Sequence, residues 1–226
     1  SACTMAGIVA GCITSTGLAS KLLRAIVSAS GGVMIVALLL TMVCCIVLGM
    51  GVPTTATYCI MAATCAPILM SPEIGVEMLA AHFFVFYFGI VADITPPVAL
   101  AAYAGAAIAK AGPMKTAFNA SRLAIAAFIV PYIIAMNPAM LFINTTIPEV
   151  VMITITSIIG IFGVAAGLSG FVFRDMKWWE RILCIVGGLT LLVPGSLTDL
   201  IGLVLVGAVC VLGYQAAKRE KEALAA

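Results

Sequence analysis

The chain has 226 residues, 64% of them hydrophobic and only 9% charged, with a formal net charge of +2. A soluble domain carries roughly a quarter charged residues, so this composition excludes a soluble globular fold and points to an all-α polytopic membrane protein. The small net charge, with no basic stripe interleaved with aromatics, excludes a nucleic-acid binder.

In chain order, Ala2–Ser20 is a first apolar segment, with Gly7 and Gly11 in GxxxG spacing suited to close helix contact. No basic leader with a small-residue cleavage site precedes it, so no cleaved signal is expected, and the chain reads as the C-terminal part of a longer one. Lys21 and Arg24 interrupt the segment and suit an interfacial position. Ser30-Gly31-Gly32 then breaks the helix. Val33–Leu48 and Ala56–Met70 flank the interruption Gly49-Met50-Gly51-Val52-Pro53-Thr54-Thr55. Each arm has about 16 residues and reaches about 24 Å, short of the ~30 Å hydrocarbon core. The pair is therefore expected to form a re-entrant hairpin over 33–70, with its tip at Gly49–Thr55.

Ser71-Pro72-Glu73 marks a water-facing turn. Val76–Ala92 is the next helix, stopped by Asp93-Ile94-Thr95-Pro96-Pro97 and resumed by Val98–Ala109, so 76–110 is expected to be one discontinuous span. A polar loop carrying Lys110, Lys115 and Arg122 leads to a span over 123–143, kinked at Pro131. Beyond it, 144–226 is expected to add three transmembrane helices: Val150–Phe173 with Gly160, Gly163, Gly167 and Gly170, then a hairpin of Trp178–Val193 and Leu200–Tyr214 turned at Pro194-Gly195-Ser196. Trp178 and Trp179, beside Lys177 and Arg181, read as an interfacial anchor.

Orientation follows from the basic residues. Alternation puts 110–122, 174–181 and 218–221 on one side, and these hold nine of the eleven Lys and Arg residues. That side is expected to be cytoplasmic, with the C-terminus, and the hairpin tip to enter from the other side.

The chemistry concentrates at the two interruptions. In hydrocarbon, backbone freed from a helix must be satisfied by protein, water or ions, and broken helices of this kind form transporter sites near the midplane. Asp93 is the one carboxylate between long apolar flanks. It has two compatible roles, capping the second half-helix and facing an ion. Pro53 and Pro96 sit where a new helix is expected to begin, with the hydroxyls of Thr54, Thr55 and Thr95 beside them. Helix starts suit an anion, whereas the carbonyls ending the preceding halves, near Gly49, Gly51, Ala92 and Asp93, suit a hard cation. The candidate site is therefore Gly49, Gly51, Pro53, Thr54, Thr55, Asp93, Thr95 and Pro96.

His82, the single histidine, reads as a packed or interhelical hydrogen-bonding residue, about 16 Å from Asp93 along a helix. Phe83–Phe88 reads as lipid-facing or core. The eight cysteines, at 3, 12, 44, 45, 59, 65, 184 and 210, lie in apolar segments without CxxC spacing, so they read as packing residues rather than disulfides or metal ligands. With no nucleophile–base set and no phosphate loop, an enzyme is not expected.

Three stretches carry a family resemblance: Leu48-Gly49-Met50-Gly51-Val52-Pro53-Thr54-Thr55-Ala56, Ala80–Phe88 with Asp93–Tyr103, and Pro113-Met114-Lys115-Thr116. Here the chain resembles the large membrane subunit of tripartite ATP-independent periplasmic (TRAP) transporters. It is most similar to the fused-permease branch that works with TAXI-type binding proteins. The match covers 1–143, and 144–226 resembles the C-terminal extension of that branch. The resemblance implies a Na+-coupled elevator importer of organic acids in the bacterial inner membrane. It also implies a periplasmic solute-binding protein and a small membrane subunit, or its fused equivalent, as partners. No cofactor is implied besides Na+ as coupling ion, with Gly49, Gly51, Thr54, Asp93 and Thr95 as its candidate ligands. The fold it implies has two inverted repeats, of which residues 1–143 are the second. The missing N-terminal repeat carries half of the site, so this chain by itself is not expected to transport. Two other readings stay open: a dicarboxylate/sodium symporter of related fold without a binding protein, and a non-transporting membrane assembly subunit.

Overall fold

The computed structural model describes residues 8, 11–12, 15–143, 145–192 and 195–225. The expected first segment, including Gly7 of the GxxxG pair, lies largely outside them. Among the described residues the chain is helical without a named strand, apart from one isolated bridge between Phe171 and Asp175. It divides into two compact units, Ser1–Leu141 and Phe142–Ala226.

In the first unit, helix α1 (Leu18–Ser30) ends where Gly31 and Gly32 take left-handed backbone, with φ of 58° and 80°. Helix α2 (Met34–Gly49) runs to the first interruption, and α3 (Thr54–Thr64) leaves it. Short α4 (Ala66–Leu69) continues α3 past a bend at Cys65, with Pro67 in its first turn. A tight turn follows, in which the N–H groups of Ile74 and Gly75 both donate to the Ser71 carbonyl at 3.0 and 2.8 Å. Helix α5 (Met78–Val91) is N-capped by Glu77, whose Oε2 accepts from the Leu79 and Ala80 amides at 2.7 and 3.3 Å.

The core of this unit is built on α5. Phe84 and Phe88 are fully buried and pack edge-on against Tyr132, at centroid distances of 5.3 and 5.8 Å. Phe83 and Phe86, which lie off that stripe, are exposed. The aromatic run thus serves both core and periphery, as helical periodicity requires. Ala37, Leu38 and Cys45 of α2, with Met61, Ile68 and Leu69 of the return arm, complete the buried cluster. The arms are short: α2 spans 16 residues and α3 spans 11.

Downstream the structure departs from the sequence reading. Residues 113–123, read as polar loop, form helix α7 (Pro113–Leu123), begun by Pro113 at a position where a missing N–H costs nothing. The span expected over 123–143 is shorter: α8 (Ile125–Met136) leaves α7 at a bend of 42°, and a 3-10 turn (Pro138–Leu141) follows. Pro131 sits inside α8 without ending it.

Among its described residues the second unit has three helices: α9 (Ile147–Ser169), α10 (Trp178–Thr190) and α11 (Ser196–Ala225). Helix α9 and residues 197–216 of α11 are long and apolar enough to cross a membrane. Their contacts rest on missing side chains. A Cβ on Gly188 would lie 2.6 Å from the Gly160 carbonyl oxygen, and one on Gly202 2.6 Å from that of Gly187. Small residues let backbones approach this closely, which is what drives helix association where lipid is as apolar as leucine. Pro194, part of the expected turn, lies outside the described residues.

The loop between α9 and α10 is tied by charge. Arg174 pairs with Glu180 at 2.6 Å, and Glu180 also accepts from the Lys177 amide at 2.8 Å. Arg181, beside Trp178 and Trp179, is half-buried and reaches back to α9. Its guanidinium donates to the carbonyls of Gly167 and Leu168, at 2.9 and 3.0 Å, closing the end of α9. Trp178 and Trp179 remain exposed.

Candidate functional site

At the hairpin tip, α2 loses its helical bonding at Met50, whose amide reaches back to Val47, and Gly51 takes the left-handed region with φ 73°. Pro53 is the residue before α3, and Thr57 closes the first turn by donating its amide to the Pro53 carbonyl at 2.9 Å. The amides of Thr54, Thr55 and Ala56 precede that bond and so lack an intrahelical acceptor. Thr54 and Thr55 are exposed. The Thr57 hydroxyl bonds inward to the Val52 carbonyl at 3.1 Å, which fixes the turn.

The second interruption opens with a 3-10 turn, Ala92–Ile94, that contains Asp93. Thr95 bonds backwards: its hydroxyl donates to the Val91 carbonyl at 2.7 Å, closing the end of α5. Helix α6 (Leu100–Ile108) restarts only after Ala99, which is fully buried and left-handed with φ 36°. Pro96 therefore does not begin the second half-helix, unlike Pro53. Proline disfavours helical backbone in the residue before it, so Pro97 keeps Pro96 out of the helix. The Pro96–Pro97 peptide is cis.

Asp93 caps neither half. No side chain caps the start of α6, and the half-buried Asp93 carboxylate makes no hydrogen bond or ion pair with a described residue. The capping role left open by the sequence is thus not the one seen. Among the described residues, no three His, Cys, Asp or Glu side chains converge as a metal site.

The fold brings the two interruptions together through glycine. Gly49, the last residue of α2, is buried against the break: a Cβ there would lie 3.1 Å from Ala92 Cβ and 3.1 Å from the Gly89 carbonyl oxygen. Gly89 in turn leaves room for the return arm, since its own Cβ would lie 3.1 Å from Thr57 Cγ2 and 3.2 Å from Met61 Sδ. Gly49 is thus the candidate residue in contact with the break. Gly51, Thr54 and Thr55 stand at the tip without a hydrogen bond to Asp93 or Thr95.

His82 joins the same two elements further from the tip. Its Nδ1 lies 3.1 Å from the Tyr58 hydroxyl of α3, an interhelical hydrogen bond of the kind expected from the sequence.

Sequence reasoning missed four contributors. Gly89 and Thr57 make room for and lock the tip. Two downstream hydroxyls satisfy carbonyls of the break: Ser121 of α7 donates to Ile94 at 3.0 Å, and Tyr103 of α6 donates to Pro97 at 2.6 Å. The signal for both was the need itself, because backbone opened in an apolar setting requires donors.

Comparison with known families places residues 1–150 in the tripartite ATP-independent periplasmic transporter, DctM component, family. Residues 150–205 match a domain of unknown function, DUF3394. No curated protein and no solved structure matches the chain.

Proposed function

The chain belongs to the DctM component family of tripartite ATP-independent periplasmic transporters, and we propose that its two interruptions form the ion and substrate site of a Na+-coupled importer of organic acids. The family is one of transporters, so the chain is a multi-pass membrane permease component and not an enzyme.

In this reading Na+ is held by the Asp93 carboxylate together with oxygens from Gly49, Gly51, Thr54 and Thr95. The Thr95 hydroxyl spends its proton on Val91, which leaves its lone pairs for a cation. An ionised carboxylate in an apolar setting needs a counter-charge, and Asp93 has none among the described residues. The substrate carboxylate is received at the start of α3, where the amides of Thr54, Thr55 and Ala56 are unpaired and Pro53 lacks a donor. Pro96 shapes the wall of the break. A periplasmic solute-binding protein delivers the substrate to the tip side. A small membrane subunit or its fused equivalent completes the permease in the bacterial inner membrane, with the C-terminus in the cytoplasm.

The observation that supports this reading is the seat of Gly49 on Ala92 and Gly89, because it brings the carbonyl ends of α2 and α5, both suited to a cation, side by side. The test is uptake driven by a Na+ gradient in vesicles holding the transporter with its partner subunits. Asp93→Asn is expected to raise the Na+ concentration for half-maximal uptake about tenfold, equivalent to ~1.4 kcal/mol, while lowering the maximal rate less. Uptake indifferent to Na+ would refute the coupling. Unchanged Na+ dependence in Asp93→Asn would remove Asp93 from the ion site.

A further inference from the structure

Helix α7 bears on the break through one side chain. The Ser121 hydroxyl stands 3.0 Å from the Ile94 carbonyl and 3.1 Å from the Ala117 carbonyl of its own helix. It has one proton and two acceptors. A serine inside a helix ordinarily satisfies itself on the carbonyl four residues back, so the bond to Ile94 is not forced by a lack of partners. It exists because α7 is packed where the break opens. Tyr103 does the same for a carbonyl three residues further on, reaching Pro97 at 2.6 Å.

The two bonds bracket Thr95 and Pro96, and Ile94 is the residue after Asp93. The Ile94 carbonyl is thereby fixed in direction while one of its lone pairs stays open. Without these donors, the segment from Asp93 to Val98 would have to find others or extend one of the flanking helices.

We propose that Ser121 and Tyr103 are positioning residues, which hold the break open from α7 and α6 and aim the Asp93–Ile94 backbone at the cation. The ion-directed part rests on the Na+ reading above; the holding of the break does not. Because Ser121 can fall back on Ala117, the clamp is releasable: α7 can let go of Ile94 without stranding a donor. Movement of α7 is thus coupled to the shape of the ion site.

The experiment uses the transporter assembled with its partner subunits in vesicles and has two readouts. One is the rate at which a water-soluble maleimide labels a cysteine introduced as Thr95→Cys, in the Ser121, Ser121→Ala and Ser121→Thr backgrounds. The other is the Na+ concentration for half-maximal uptake with Thr95 intact. Ser121→Ala is expected to change labelling and to weaken apparent Na+ affinity about fivefold, the worth of one such hydrogen bond. Ser121→Thr, which keeps the hydroxyl, is expected to restore both. Tyr103→Phe is expected to act in the same direction as Ser121→Ala.

Labelling unchanged in both Ser121→Ala and Tyr103→Phe overturns the clamp, whatever the Na+ dependence of the parent. Equal loss in Ser121→Ala and Ser121→Thr overturns it as well, because packing rather than the hydroxyl would then be responsible. If labelling responds and is rescued but uptake ignores Na+ throughout, the holding of the break stands and the Na+ reading falls.

Discussion

Gly49→Ala tests the seat between the two interruptions with a single methyl group. The added Cβ would lie 3.1 Å from Ala92 Cβ, 3.1 Å from the Gly89 oxygen and 3.3 Å from Met61 Cε. Comfortable carbon contacts lie at about 3.5–4.0 Å. Met61 is flexible and can yield, but Gly89 O is backbone and Ala92 Cβ is fixed to it. The tip must therefore back away from the break by a few tenths of an ångström or carry overpacking of about 1–3 kcal/mol. Replacing glycine in a helix returns about 0.5–1 kcal/mol, which leaves a net cost of up to about 2.5 kcal/mol. That corresponds to a shift of up to roughly 70-fold in the population of the seated arrangement. Apparent Na+ affinity for uptake by the assembled transporter is expected to weaken within that range, with expression and membrane insertion measured alongside. Gly105→Ala is the matched control, because a Cβ there meets nothing within 4 Å. Wild-type Na+ dependence in Gly49→Ala, or equal damage from Gly105→Ala, would refute the reasoning.

In the second unit, Gly188→Ala would place a Cβ 2.6 Å from the Gly160 oxygen and 2.8 Å from the Val164 nitrogen, both backbone. A loss of about 3 kcal/mol is expected, read as a lowered Tm in detergent, whereas Gly213→Ala, with open space around it, should leave Tm unchanged. For the Tyr58–His82 bond, the variants Tyr58→Phe, His82→Leu and their double are expected to show a coupling of about 1 kcal/mol in unfolding. Strict additivity would show that the bond contributes nothing.

How far the sequence could be read differs along the chain. Gly49–Thr55 and Asp93–Pro97 were legible because glycine, proline and hydroxyl residues interrupt apolar runs, a local signal. The glycines of α9 were legible as residues suited to close helix contact, whereas the run Phe83–Phe88 was left between lipid and core, and the packing of Tyr132 decides that Phe84 and Phe88 are the buried pair. The restart at Leu100 was not, because the tandem proline acts on two residues at once and delays the helix past the position one proline would favour. Helix α7 looked like a loop on polarity alone, although Pro113 and the run to Leu123 sustain a helix. Ser121 was invisible, because its partner Ile94 lies 27 residues away and no local pattern encodes that meeting. The Arg181 bond to Gly167 was illegible for the same reason, because it depends on how α9 and α10 pack.

Whether the tip and the break form one site is decided by a double-mutant cycle on Na+ half-saturation, using Thr54→Val, Asp93→Asn and the double variant in the assembled transporter. If both residues serve one ion, the double variant is expected to weaken Na+ affinity by clearly less than the product of the two single effects, a coupling of about 1 kcal/mol or more. Independent, multiplicative effects, or no effect of Thr54→Val, would place the tip outside the ion site and contradict the reading of the two interruptions as a single transport centre.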